Sequence, residues 1–350
     1  MASRHSFYTF GAGARSAVSA SPTGRWQEAA GTYRRRSKRV ENAAIKGTNM
    51  LSNLSGSVII AQTPFDDGGA LDLSSIDTLT DFYLGHGAEG FVVLGVSGEG
   101  GKLTPKEALD VSTRFIARAA GKPVIVGVSN SSSAQLKVLA SEVMDRGASG
   151  VMIAPPPGIR TEEELFAYFI HVFDIIGDIP VVLQDFPGST AVWMSVPSIL
   201  RLVENFSQIQ VIKEEDLPSL EKISQLRAAQ RRRVAIMTGN NGLYLPYEMA
   251  RAIDGPMAGF SHPEMLSGVY RLYVRGEIEA AHDLFERYLP LLNYEAQGFW
   301  GVAARKEVLR RRGAIRHAAM RRPGPSLTVR HLAEIDHLLH RLERRLAEAR

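Results

Sequence analysis

Ile209-Gln210-Val211-Ile212-Lys213 is a short β-branched run that closes on a lysine, and Glu214, Glu215 and Asp216 follow it at once. A run of this length and type, bounded by polar residues, reads as a buried strand. A lysine at its end is costly, because a desolvated ammonium is disfavoured. The same desolvation favours the neutral amine, which can attack a carbonyl carbon. Lys213 therefore has two readings. It is the nucleophile of a Schiff-base enzyme, or it emerges into solvent at the strand end and pairs with the acids behind it.

The pattern recurs along the chain. Comparable runs lie at 57–61, 90–94, 123–127, 150–154, 179–183, 234–237 and 256–260, which with 209–213 makes eight. Helical patterns of about ten to twenty residues separate them. Leu136, Leu139, Ala140 and Val143 form one apolar stripe; Ile199, Leu200, Leu202 and Val203 form another. Thr104, Pro105 and Glu107 have the spacing of a capping box with proline at the first helical position. Eight alternations of strand and helix predict a (β/α)8 TIM barrel over 50–265. An open doubly wound sheet is the alternative; the count of eight and the lack of an early Gly-x-Gly-x-x-Gly turn favour the barrel. Helical patterns at 277–292, 295–311 and 328–349 predict a C-terminal helical extension, residues 266–350, packed on the barrel. Its last helix carries Leu332, Leu338, Leu339, Leu342 and Leu346 among arginines. A packed tail is favoured there over a partner-binding helix.

Composition narrows the function. The 45% hydrophobic and 22% charged content is that of a soluble globular protein, and no apolar run nears the roughly 18 residues of a membrane span. The chain has no cysteine, which excludes disulfides and thiolate chemistry and fits a cytoplasmic location. The net charge of +4 is segregated. Residues 1–49 hold nine Lys/Arg against two acids, and residues 305–350 hold thirteen against five. The body, 50–304, carries a balance of −11, so it is no nucleic-acid binder. Residues 1–49, rich in Ser, Gly, Ala and Arg, are expected to be a disordered basic segment. A transit peptide and a start at Met50 remain open alternatives.

In such a barrel, chemistry sits where strands end. Those positions bring together Gln62-Thr63-Pro64-Phe65, Gly95-Val96-Ser97-Gly98-Glu99-Gly100, Pro155-Pro156-Pro157, Gln184-Asp185-Phe186-Pro187, Lys213, and Gly239-Asn240-Asn241-Gly242. The glycine-rich loop 95–100 lets backbone N–H groups approach a small carboxylate. Strand alternation puts Val211 with Lys213 on one face and Val182 with Gln184 on another. If both faces point inward, Gln184 and Lys213 stand side by side at the mouth. Asn240 and Asn241 are turn residues or contacts for a polar substrate tail. Asp66 and Asp67 are expected to shape a turn. His262 with Glu264 is a weaker acid–base candidate. Nine histidines without ligand spacing support no metal site.

Across roughly 55–315 the chain resembles the dihydrodipicolinate synthase / N-acetylneuraminate lyase family of class I aldolases. The motifs are Thr63-Pro64-Phe65, Gly95-Val96-Ser97-Gly98-Glu99, Leu183-Gln184-Asp185-Phe186-Pro187, Ile212-Lys213-Glu214 and Gly239, in that order. The resemblance implies that Lys213 forms an imine with pyruvate or another 2-oxo acid. It implies that Ser97 and the Gly98 backbone bind the carboxylate, and that the Ala258 backbone lies near the substrate. It implies no cofactor, a small-molecule partner and a homo-oligomer, with no nucleic acid and no membrane.

The departures are as informative. Gln184 stands where the family has a proton-relaying tyrosine, and an amide does not titrate in this range. Val96 replaces a relay threonine, Pro157 a tyrosine contributed by a neighbouring subunit, and Ser189 an arginine that binds the aldehyde's carboxylate. The lysine stays while the relay is gone. That argues against efficient dihydrodipicolinate synthase activity but permits a lyase whose protons move through water or another side chain, Asp185 being a candidate. The rival is a catalytically degenerate barrel that binds a 2-oxo acid as a sensor.

Overall fold

The structure, a computed structural model, describes residues 51–348, so the expected disordered segment 1–49 lies outside the described residues. Eight parallel strands close into a barrel in sequence order. They are β1 (Val58–Ile60), β2 (Gly90–Val93), β3 (Val124–Gly127), β4 (Gly150–Ile153), β5 (Val181–Asp185), β6 (Ile209–Glu214), β7 (Ala235–Thr238) and β8 (Gly255–Ala258). β1 pairs with β8 through Val58–Met257 and Ile59–Ala258, which closes the ring and rules out the open sheet.

Strand alternation sorts the side chains. Ile60, Val92, Val182, Val211 and Met257 pack inside the barrel with Leu51 and Leu54. Ile59, Phe91, Val126, Leu183 and Ile212 belong to the larger core between strands and helices. Each such burial stabilises the fold by roughly 1.5–3 kcal/mol before conformational entropy is set against it. The two predicted stripes lie on the helices Ser133–Asp145 and Val196–Asn205, with Leu136, Ala140 and Val143 buried on the first and Ile199, Leu202 and Val203 on the second. The capping box forms: Glu107 N–H donates to Thr104 Oγ1 at 3.3 Å, and Thr104 N–H to Glu107 Oε2 at 2.9 Å.

Strand ends fall within a residue of expectation except in β5, shifted by two, and at the end of β8, two residues early at Ala258. β5 begins at Val181, two residues late, because Pro180 has no N–H for the ladder. It ends at Asp185, because Gln184 and Asp185 pair in register with Lys213 and Glu214 of β6. The helix Pro263–Arg275 runs across the boundary expected at 265/266; it follows β8 directly and buries Met265, Leu266, Val269 and Tyr273. Helices Ile278–Glu295, Gly298–Arg311 and Val329–Ala347 make the extension. From Gly301 to Leu309 the middle helix is buried on every side, although it carries Arg305, Lys306 and Glu307. Such a helix is part of a core, not a covering tail.

Candidate active site

Because Val211 faces the barrel interior, Lys213 two residues on does so too, at the C-terminal end of β6. It is 4% exposed. Gln184 reaches the same mouth from β5, opposite Lys213 in register. A cavity of about 360 Å³ opens above them. Val96, Ser97, Gln184, Ser189, Lys213 and Ala258 all line it, as do Asn240 and Asn241. Gly98 does not: its N–H donates to Gly95 O at 3.0 Å, and its carbonyl accepts from Thr63 Oγ1 at 2.6 Å. The Gly98 amide is thus committed to the turn that holds Ser97 at the rim. Pro157 lines an adjoining cavity of about 280 Å³ that shares Val96, Gln184 and Ser189 with the first.

One residue in contact with the amine was not singled out from the sequence. Glu215, just past β6, folds back over the mouth, and its Oε2 lies 2.9 Å from Lys213 Nζ. The same oxygen accepts from Gln184 Nε2 at 2.6 Å. The turn is fixed by its backbone: Glu215 N–H donates to Asp185 O at 2.9 Å, and Asn240 Nδ2 donates to Glu215 O at 3.4 Å. Gly239 makes room for the carboxylate, since a Cβ there would stand 2.1 Å from Glu215 Oε1. Behind it lies Glu248, fully buried, whose carboxyl is pushed up to about 7 mainly by burial, with the charge of Glu215 adding to the effect.

Asp185 does not serve the site. Alternation turns it outward, where it pairs with Lys222 of the helix Ser219–Ala229. There it meets Glu214, its register partner. Asp185 Oδ1 and Glu214 Oε2 have no other donor within reach. Burial, reinforced by the charge of Asp185, holds the Glu214 carboxyl far above the usual range, which favours a proton on this pair of acids. His262 and Glu264 do not form an acid–base pair either. His262 Nδ1 lies 3.0 Å from Ser261 Oγ, Glu264 binds Arg312 at 2.9 Å, and neither lines the cavity. Asp66 shapes a turn, its Oδ1 accepting from Ala70 N–H at 2.9 Å, while Asp67 pairs with His317 at 3.1 Å. No group of acids or histidines suited to a metal occurs among the described residues.

The opposite wall comes from the C-terminal extension. Phe299, Val302 and Arg305 line the cavity. Arg305 is 1% exposed; its Nε donates to Glu295 Oε2 at 3.1 Å and its Nη2 to Asn241 Oδ1 at 2.7 Å. Its Nη1 has no acceptor. Gly259, which also lines the cavity, permits this placement, because a Cβ there would lie 2.7 Å from Nη1. One residue on, Lys306 points the other way and binds Glu99 Oε1 at 2.5 Å, tying the extension to the 95–100 loop. Lys102 holds the other oxygen of Glu99 at 3.0 Å. The signal for this wall was three successive charges inside the apolar stretch 301–309.

Comparison with known proteins agrees with the fold. The model of the dihydrodipicolinate synthetase family matches residues 53–342. The 4-hydroxy-tetrahydrodipicolinate synthase of Pseudomonas savastanoi pv. phaseolicola is 28% identical over 246 residues, 69% of this chain and 82% of that protein. That of Persephonella marina is 29% identical over 240 residues, 67% of this chain and 80% of that protein. The crystal structure of dihydrodipicolinate synthase from Rhodopseudomonas palustris superposes with a TM-score of 0.82 at 45% identity, covering 84% of this chain and 100% of that one. The chain belongs to the dihydrodipicolinate synthetase family, and it is an enzyme of the lyase class.

Proposed function

We propose that Lys213 forms an imine with pyruvate or another 2-oxo acid, and that the enzyme makes or breaks a C–C bond, or dehydrates a sugar-acid derivative, through that imine. The imine withdraws electrons and stabilises the neighbouring carbanion as an enamine, so no cofactor is required. One observation carries the reading: Lys213 Nζ is buried at the barrel mouth, beneath a cavity of ligand size. Ser97 and Ala258 both line that cavity, which supports Ser97 as the group that meets the 2-oxo acid's carboxylate and the Ala258 backbone as its neighbour. The names of the relatives support acid substrates of this kind. Arg305 Nη1, buried and without an acceptor, would be satisfied by an anionic group on the reactants. Gln184, Val96 and Pro157 leave the reaction without the tyrosine relay, so condensation with an amino-aldehyde is not the favoured chemistry. A carboxylate against the amine favours turnover over a sensor that only binds. The reading keeps the cytoplasmic, small-molecule enzyme of the sequence analysis.

The test is reductive trapping. Wild-type protein is incubated with a panel of 2-oxo acids and borohydride, then mapped by mass spectrometry. The adduct is expected on Lys213 and is lost in Lys213→Arg, because a guanidinium stays protonated. Trapping at a different lysine, with Lys213 unmodified, would overturn the assignment.

A further inference from the structure

We infer that Glu215 is the catalytic acid–base group of this site, carrying the protons of imine formation that a phenol would otherwise carry. The inference rests on the Schiff-base reading and names the group that makes it work.

The geometry is direct. Glu215 Oε2 touches the reacting nitrogen at 2.9 Å, within proton-transfer range. Among the described residues it is the acid in an ion pair with Lys213. Gln184 donates to the same oxygen at 2.6 Å, so it orients the carboxylate without holding a transferable proton in this range. Gln184 is on this account a positioning residue. The family resemblance expects a phenol where Gln184 stands, and Glu215, two residues after the lysine, would carry the protons in its place.

The steps balance. In the resting site Lys213 is an ammonium beside a carboxylate. A proton passes from Nζ to Glu215 Oε2, leaving a neutral amine and a neutral acid. The amine's lone pair forms the N–C bond to the carbonyl carbon, and the C–O π pair moves to oxygen. Glu215 gives its proton to that oxygen and takes one from the nitrogen, which yields the carbinolamine. It then protonates the hydroxyl, the C–O bond breaks, and water leaves as the nitrogen lone pair forms C=N. The products are a cationic imine, water and the regenerated carboxylate, which now faces the positive nitrogen. Charge and atoms match the start, and no co-reactant is used.

The alternative is that Glu215 only neutralises a buried ammonium. The two roles have opposite effects on simple nucleophilicity. A mere counter-ion holds Lys213 protonated, so its removal should free the amine. A shuttle should be missed chiefly in carbinolamine formation and dehydration.

The experiment compares wild type, Glu215→Gln and Glu215→Ala in two assays. One is the rate of Lys213 arylation by trinitrobenzenesulfonate, and the other is the rate of pyruvate imine formation, quenched with borohydride across pH 5–9. Expected for both variants is arylation at least as fast as wild type, with imine formation slowed about a hundredfold to ten-thousandfold. Formate should restore much of the rate to Glu215→Ala and none to Glu215→Gln. Glu248→Gln is the control for the other carboxyl near Glu215 and should form the imine within a few-fold of the wild-type rate. Imine formation at the wild-type rate in Glu215→Gln overturns the shuttle alone. No wild-type adduct with any 2-oxo acid overturns the Schiff-base reading, and the shuttle with it. Loss of the native circular dichroism in both Glu215 variants would make the residue a folding element and overturn the inference.

Discussion

Replacing Arg305 by methionine isolates the charge that the C-terminal extension buries beside the site. Methionine keeps most of the stem's volume and removes the guanidinium. Glu295, 0% exposed, then keeps only Ser261, whose N–H lies 3.1 Å from Oε2 and whose hydroxyl bonds Oε1. A carboxylate stranded there takes up a proton instead of staying charged. Burial already holds the Glu295 carboxyl above its ordinary value of 4.5, and the Arg305 charge is the largest opposing influence. Removing that opposition raises it further. Protonating a glutamate of ordinary pKa at pH 7 costs at most about 3.4 kcal/mol, and at pH 5 about 0.7. The sign follows. A raised folded-state value means that the fold binds a proton the unfolded chain has released, so the penalty grows as pH rises above 4.5. Arg305→Met should therefore lose up to about 3 kcal/mol of stability at pH 7 and under 1 at pH 5, read from urea unfolding at both pH values. Adding Glu295→Gln should recover most of the loss at pH 7, because an amide keeps a hydrogen bond to Ser261 and needs no counter-charge. An equal loss at the two pH values would show that packing, not charge, sets the cost.

Three further outcomes follow from the same structure. Gly239→Ala places a methyl where Glu215 Oε1 now sits, so pyruvate trapping at Lys213 should slow at least tenfold while the melting temperature moves by only a few degrees; unchanged trapping refutes the close fit. Glu214→Gln replaces the proton favoured on the pair with Asp185 by an amide. Wild-type stability should fall as pH rises from about 5 to 9, since the fold holds that proton and the unfolded chain does not. The variant should show a flatter profile in thermal melts, and parallel profiles would refute the bound proton. Deleting residues 1–49 should leave both the melting temperature and Lys213 trapping unchanged, because that segment is poor in the apolar residues that pack a core; a fall of 5 °C or more would contradict this.

The barrel was legible because short, nearly continuous apolar runs repeated eight times with helix-length spacers, a signal that survives errors of a residue or two at each end, and alternation within each run sorts its side chains between the two faces. Lys213 and Gln184 were legible for the same reason, since counting by twos from Val211 and Val182 fixes where they point. Glu215 was not, because alternation stops at the strand end and the turn that swings it back depends on the space left by Gly239, 24 residues later. Three acids in a row gave no hint of which would return to the lysine and which would face outward. Arg305 was hidden for another reason. Its helix is buried all round, so no amphipathic stripe marks which side meets the cavity, although a charged triplet in an apolar stretch is itself a sign of a paired interior.

The bond between Lys306 and Glu99 spans 207 residues of chain. The barrel's own closure, from Val58 to Met257, spans nearly as much chain. Ring and chamber therefore both wait for the C-terminal part of the chain, and closing loops of such similar length costs nearly the same entropy. A chain whose translation aborts after β8 would lack the helix that brings Arg305 to the cavity and Lys306 to Glu99, and with it the wall that encloses the amine.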